Sequence, residues 1–334
     1  MVEIAGELPG VSSEAHKEMA RMMLTHMQPR LVSFDEQACA IREDLAKRYE
    51  EEQQWALAAA TLSEIDLDVR RLGDDIFRLK TCVQMAGFYM RANDLGKADE
   101  IMNRARLYRA AVSTDQLLIY QYAICWAELY DRMDRFMDAS SLYLETSVVV
   151  LHAGVKRSLA DELTSAIICA TLAPWTPQKM RMIEILYKHE HCQNLEIYPI
   201  LEKVQLKRIL RADEVRAFQV FLNPHHTKPR DDGLSALQQA VIEHNLVSMS
   251  KVYSNIDFEN LSDLLGVGSV QAEKITAKMI AEERLQGRID QVERFVYFDG
   301  EDEPIVEWDR RIADVSLKLH NVVETMKSEG LIRQ

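Results

Sequence analysis

No stretch of this 334-residue chain approaches the ~18 consecutive apolar residues of a membrane-spanning helix. Its N-terminus also lacks the charged start and apolar core of a signal peptide. Both absences predict a soluble, intracellular protein. The chain has no C-x-x-C pair: Cys39, Cys82, Cys125, Cys169 and Cys192 stand alone. A zinc ribbon or thioredoxin-type site is therefore excluded, and reduced, buried thiols are expected. Positive charge is not in excess, since 40 Lys and Arg against 53 Asp and Glu leave a net charge of −13. That balance argues against general affinity for nucleic acid or anionic membrane and suits partners with basic surfaces. G-x-G-x-x-G, P-loop, G-x-S-x-G and H-E-x-x-H motifs are all missing.

What is present is Ala, Leu, Met, Glu and Arg with little strand character from about Ser13 to residue 190. Three segments there align without gaps. Tyr49, Tyr89 and Tyr130 are each followed at +6 by Trp55, Leu95 or Phe136, at +9 by Ala58, Ala98 or Ala139, and at +13 by Leu62, Met102 or Tyr143. The physical reading is a repeated helical hairpin. An aromatic ends the first helix, a polar turn such as "RANDLGK" or "DRMDR" follows, and the alanine lets the second helix pack close. One hairpin cannot bury its own stripe, so neighbours must stack; a right-handed, tetratricopeptide-like solenoid over residues 13–222 is predicted. The first four cysteines, 43, 43 and 44 residues apart, are expected to follow the same period. A degenerate fourth unit is expected between about 155 and 190, interrupted by Pro174 and Pro177. Residues 1–12 read as a lead-in.

The segment 231–298 follows a different plan. Leu234, Leu237 and Val241, then Leu246, Met249 and Tyr253, form two apolar stripes that predict two short helices. An extended "NIDF", a helix through Leu261 and Leu264, and a Gly266–Gly268 turn come next. A helix N-capped by Ser269 and carrying Ala272, Ile275 and Met279 follows. The runs "RIDQV" and "FVYF" are spaced to pair as a hairpin. That order predicts a winged helix. Between Asp231 and Phe298 there are eleven acidic and six basic residues, a net of −5. Phosphate binding needs a basic face, so the winged helix is read as protein-binding. Beyond it, Pro304 opens a helix over 304–329. Ile305, Trp308, Ile312, Val315, Leu319, Val322 and Met326 follow at alternating steps of three and four, a heptad seam that calls for partner helices.

Three histidine or cysteine groupings have the residue types for chemistry. His189-Glu190-His191 begins a metalloprotease pattern, but Pro199 and Glu202 stand eight and eleven residues after His191 where that pattern needs Ser and Asp. His225-His226 lies in a Pro-flanked linker with no second pair at metal-site spacing. Cys192 beside His191 has no identifiable orienting group. The expectation is therefore no catalytic residue, no metal ligand and no cofactor.

An array of helical hairpins running into a winged helix resembles the PCI domain, shared by scaffold subunits of the proteasome lid, the COP signalosome and a translation initiation factor complex. "SFDEQACAIREDLAKRYEEEQQWALAA", "KHEHCQNLEIYPILEKV", "AVIEHNLVSMSKVYSNIDFENL" and "AEKITAKMIAEERLQGRIDQVERFVYF" resemble the signalosome subunit-four branch, over about residues 25–325. The resemblance implies a non-catalytic scaffold and substrate-sensing subunit of the complex that removes the ubiquitin-like modifier NEDD from cullins. A proteasome-lid PCI scaffold is the alternative. The signalosome resemblance implies other PCI subunits, the catalytic metalloprotease with its inactive partner, and a cullin–RING ligase as partners, no nucleic acid or membrane, and residence in cytoplasm and nucleus. The winged-helix ribbon, with Ile289, Val292, Phe295, Val296 and Phe298, is expected to join the PCI subunits. The seam of Trp308, Ile312, Val315, Leu319, Val322 and Met326 is expected to enter a shared helical bundle. Against the family's pattern the chain is expected to begin inside the N-terminal solenoid and to stop early at its C-terminus.

Overall fold

The computed structural model describes residues 13–28, 31–65, 67, 75–110, 112, 115–153, 159–230, 233–298 and 304–328. The lead-in at 1–12, the linker residues 231–232 and the acidic stretch 299–303 lie outside these. Contacts divide the chain into two compact units. The first is Met1–Ala173, Pro177–Glu202 and Phe218–Lys228; the second is Pro174–Thr176, Lys203–Ala217 and Pro229–Gln334.

In the first unit, α1 (Ser13–Met27) leads into hairpins α2 (Leu31–Glu51) with α3 (Trp55–Ser63), α4 (Asp75–Arg91) with α5 (Leu95–Arg109), and α6 (Gln116–Arg132) with α7 (Phe136–Ala153). A fourth, α8 (Leu159–Leu172) with α9 (Pro177–Lys188), occupies the place of the degenerate unit, and the short helices α10 (Tyr198–Gln205) and α11 (Ala212–Gln219) follow it in the chain. The repeat positions act as the spacing requires. Ala58, Ala98 and Ala139 have no exposed surface, so the second helix of each hairpin can approach the first. Tyr49, Tyr89 and Tyr130 precede identical turns. The residue four after each, Gln53, Asn93 or Asp134, sits in the left-handed region at φ 60°, 63° and 61°. The next N–H returns to the tyrosine carbonyl at 2.8, 2.9 and 2.8 Å. This 6→1 bond answers a carbonyl that the helix end would leave orphaned. A left-handed non-glycine residue costs roughly 1 kcal/mol, and the turn recurs nonetheless because it sets the hairpin angle. A cation covers each ring: Arg21 over Tyr49, Lys97 over Tyr89 and Arg135 over Tyr130, the last at 4.3 Å.

Stacking of hairpins is tied by side chains that reach into a neighbouring repeat. Arg132 Nη1 donates to the Met90 carbonyl at 2.6 Å, and Ser140 Oγ to the Ala166 carbonyl at 2.9 Å. Cys39, Cys82, Cys125 and Cys169 are all buried on the first helices of the four hairpins. They are not equivalent repeat positions, however, because the first three stand ten, seven and five residues before their tyrosines. The cysteine spacing marks a shared buried face and not the repeat register. Burial pushes the Cys39 thiol up to about 11 and the Cys125 thiol up to about 12, so both stay protonated.

The second unit is built on α13 (Ala236–Met249), α14 (Phe258–Leu265), α15 (Ser269–Ala281) and a sheet of β1 (Asn255–Asp257), β2 (Gly287–Asp290) and β3 (Phe295–Phe298). The two helices expected across 234–253 are one. Ser235 and Gln238 form a reciprocal capping box, at 3.2 and 3.0 Å, that starts a single helix running to Met249. It continues through Glu243, His244 and Asn245, between the two apolar stripes, and through Ser248, because these polar residues are buried and hydrogen-bonded. Asn245 both accepts from the Leu210 N–H at 2.9 Å and donates to the Leu210 carbonyl at 3.1 Å. His244 Nε2 lies 2.8 Å from the Arg208 carbonyl. Gly266, left-handed at φ 66°, ends α14. The N-cap of α15 is Gly268, not Ser269, and no side chain caps it. Leu246, Met249, Leu261, Ala272, Met279 and Val296 meet in the core.

Candidate partner-binding surfaces

The sheet order is β1-β3-β2, with both pairs antiparallel. The ribbon hairpin is present as expected, and the short "NIDF" strand joins it on the far side. Phe295–Phe298 is therefore the central strand, hydrogen-bonded on both sides. Val296 and Phe298 are buried in the winged-helix core, which corrects their assignment to a partner surface: alternation points them inward. Ile289 is partly buried and packs against the same core. Phe295 is partly buried in β3, its ring centroid 6.2 Å from that of Tyr297. Arg288 lies over Tyr297 at 4.9 Å. Val292 is not in a strand. It sits in the turn after Asp290, whose carboxylate accepts the Val292 and Glu293 N–H groups at 2.9 and 3.0 Å. Val292 is also 94% exposed. Among the described residues β1 and β2 each pair only with β3, so the two strand edges open to augmentation are Asn255–Asp257 and, on the ribbon itself, Gly287–Asp290.

The last helix, α16 (Pro304–Ser328), carries the heptad seam. Every residue from Arg311 to Val323 is exposed. Trp308 is 66% exposed, Leu319 61% and Val322 55%, with Ile312 and Val315 similar; Met326 is partly buried. Leu317 adds to the apolar surface. An apolar stripe of this length left in water is the mark of an interaction site. On the polar side Lys318 pairs with Asp314 one turn away at 2.6 Å.

Sequence spacing missed one cluster. His225 and His226 occupy a one-turn helix, α12 (Pro224–Thr227), where a linker was expected, and both meet Asp131 at the end of α6. His226 Nε2 is 2.7 Å from Oδ1 and His225 Nε2 is 3.1 Å from Oδ2. Phe136 packs edge-on against the His226 ring at 5.9 Å. Burial pushes the Asp131 carboxyl up, but the hydrogen bonds and charge of the two imidazoles outweigh it and hold the group well below the carboxylate range. No motif could reveal a partner 94 residues away. His189 and His191, flanking the start of the short 3-10 turn Glu190–Asn194, have ring centroids 5.6 Å apart. Among the described residues they gain no third ligand. Cys192 is buried, and its thiol is pushed up to about 11.

Two family models match this chain: the PCI domain over residues 187–299, and the N-terminal region of PSMD12/CSN4 over residues 1–150. Curated relatives extend the match to nearly the whole chain. COP9 signalosome complex subunit 4 of Arabidopsis thaliana is 40% identical over 98% of this chain and 84% of its own length. The subunit 4 proteins of Drosophila melanogaster and Dictyostelium discoideum are 36% and 37% identical, covering 96% and 92% of this chain and 78% of each relative. The chain belongs to the COP9 signalosome subunit 4 family. Within this subunit 4 fold, the N-terminal match takes in all three tyrosine repeats, and the PCI match runs from the end of α9 through β3. The exposed seam of α16 lies outside both matched segments.

Proposed function

We propose that this chain is a non-catalytic scaffold and substrate-sensing subunit of a COP9 signalosome, the assembly that removes the NEDD modifier from cullin–RING ubiquitin ligases. Its helical repeats present surface to the cullin–RING ligase and to the catalytic metalloprotease with its inactive partner. The edge of β2 and the seam of α16 join other PCI subunits. The observation that carries the assembly reading is the unburied seam. Each of its large apolar residues contributes on the order of 1–2 kcal/mol when covered, enough together to offset the entropy lost on docking a helix into a bundle.

The test is Leu319→Asp with Val322→Asp in the full chain, co-expressed with the remaining signalosome subunits. Burying two carboxylates among helices costs several kcal/mol, so the variant should keep the wild-type circular dichroism and melting temperature but elute alone from a sizing column. Co-elution at the wild-type stoichiometry would refute the seam as an assembly element. The N-terminal family model spans both PSMD12 and CSN4, which keeps the proteasome lid as the second reading. A tagged pull-down separates the two: PCI partners with cullin-deconjugating activity support the signalosome, and proteasome particles support the lid.

A further inference from the structure

Among the described residues, the Asp131 cluster is the one place where three metal-ligating side chains converge. Asp131 Oδ1 and Oδ2 each face a different imidazole Nε2, and the three ligand atoms lie within 4.8 Å of one another. They come from two elements, α6 and α12, so the cluster ties a short segment to a helix end far away in sequence. A fourth donor is adjacent: Cys169 Sγ on α8 lies 3.4 Å from Asp131 Oδ1. Asp131, Cys169 and His226 line one cavity of about 240 Å³, together with Asn223, Thr164 and Asp161. His226 is 99% buried by its 1% exposure, and its Nδ1 has no hydrogen-bond partner among the described residues.

We propose that Asp131, His225 and His226 form a binding site for a divalent transition metal, zinc by preference, with its fourth position facing the cavity beside Cys169. Two imidazole nitrogens and one carboxylate oxygen suit zinc, whereas calcium and magnesium call for oxygen ligands throughout. Tetrahedral zinc with bonds of 2.0–2.1 Å spaces its ligand atoms about 3.3 Å apart. The present 2.7 and 3.1 Å gaps are hydrogen-bond distances; on binding, each Nε2 offers its lone pair to the metal, the neutral ring carries its proton on Nδ1 instead, and the three ligand atoms, now within 4.8 Å of one another, settle at the tetrahedral spacing. His225 is partly exposed, which gives the ion a way in. The ion would act as a structural clip between α12 and the end of α6, and it carries no catalytic step.

The experiment uses the full chain, stripped with a chelator and titrated with Co²⁺ and then Zn²⁺. One equivalent of cobalt should give intense tetrahedral d–d bands that zinc abolishes. A thiolate-to-cobalt charge-transfer band would add Cys169 as the fourth ligand. His225→Ala, on the exposed side of the cluster, and His226→Ala should each weaken zinc at least about 100-fold, beyond the 10–100-fold typical of outer-shell changes. His189→Ala with His191→Ala should leave affinity unchanged. Absence of tetrahedral cobalt bands in the folded chain would overturn the proposal. So would one-to-one zinc binding that survives both His225→Ala and His226→Ala, or that is lost with the His189 and His191 pair. Circular dichroism of His225→Ala matching the parent makes loss of metal distinguishable from loss of fold.

Discussion

Replacing Arg284 by alanine should selectively loosen the winged helix. Glu243 on α13 is nearly buried, its side chain 4% exposed, and its carboxylate has three donors: the Trp175 N–H at 3.2 Å, Gln239 Nε2 at 3.1 Å and Arg284 Nη1. Of these only Arg284 carries charge, and its own side chain is 12% exposed. Removing one partner of a buried ion pair costs ~3–5 kcal/mol because the other charge is left uncompensated. Two neutral donors remain here, which brings the expectation to about 2–4 kcal/mol. At ~1.4 kcal/mol per factor of ten, amides of residues 236–249 and 287–298 should lose about 30- to 1,000-fold of their protection from hydrogen exchange. Hydrogen–deuterium exchange by mass spectrometry on the full chain reads this directly. Glu243→Gln combined with Arg284→Met removes both charges at similar volume and should recover more than half of the loss. Exchange within about threefold of wild type in Arg284→Ala would refute the assignment of Glu243 as a charge that must be answered.

Two further outcomes rest on single positions. A Cβ at Gly287 would stand 2.5 Å from the Tyr297 carbonyl oxygen. Gly287→Ala must therefore push β2 off β3 and cost about 1–3 kcal/mol, read as a lowered urea midpoint with unprotected β2 amides; a wild-type midpoint would count against the close strand approach. Asp94 caps α5, accepting from the Lys97 N–H at 3.3 Å and from Lys97 Nζ at 2.9 Å, and these bonds hold its carboxyl below the usual value. A depressed folded-state value means stabilisation present above the unfolded value of about 4 and lost as pH falls through the folded one. Asp94→Asn should thus melt lower than wild type at neutral pH and converge with it in acid. A gap that persists in acid would remove the charge from the explanation.

The repeat of helical hairpins was legible because its determinants are local. A tyrosine, a polar turn and a small alanine at fixed offsets are enough, since each hairpin contacts only its neighbours. The left-handed turn residues Gln53, Asn93 and Asp134 were not legible, because none is glycine and the preference for that conformation comes from the hairpin geometry. Helix ends were read well where glycine forced them, as at Gly266. They were misread in α13, where two apolar stripes suggest two helices, because the polar residues between them are answered from afar: Asn245 bonds the backbone of Leu210, 35 residues upstream.

The sequence alone therefore determined the helical-repeat class, the winged-helix order, the acidic balance and the existence of a seam on the last helix, all of which are set by composition and period. Only the tertiary structure decided which strand became central. Pairing of β1 with β3 joins residues some 40 positions apart, and nothing in either strand's pattern encodes it; packing of one face of β3 against the winged-helix core takes Val296 and Phe298 from surface to core. The same holds for Asp131, His225 and His226. Periodicity says which face of a helix is apolar, but chain closure over 94 residues decides which carboxylate two histidines will meet.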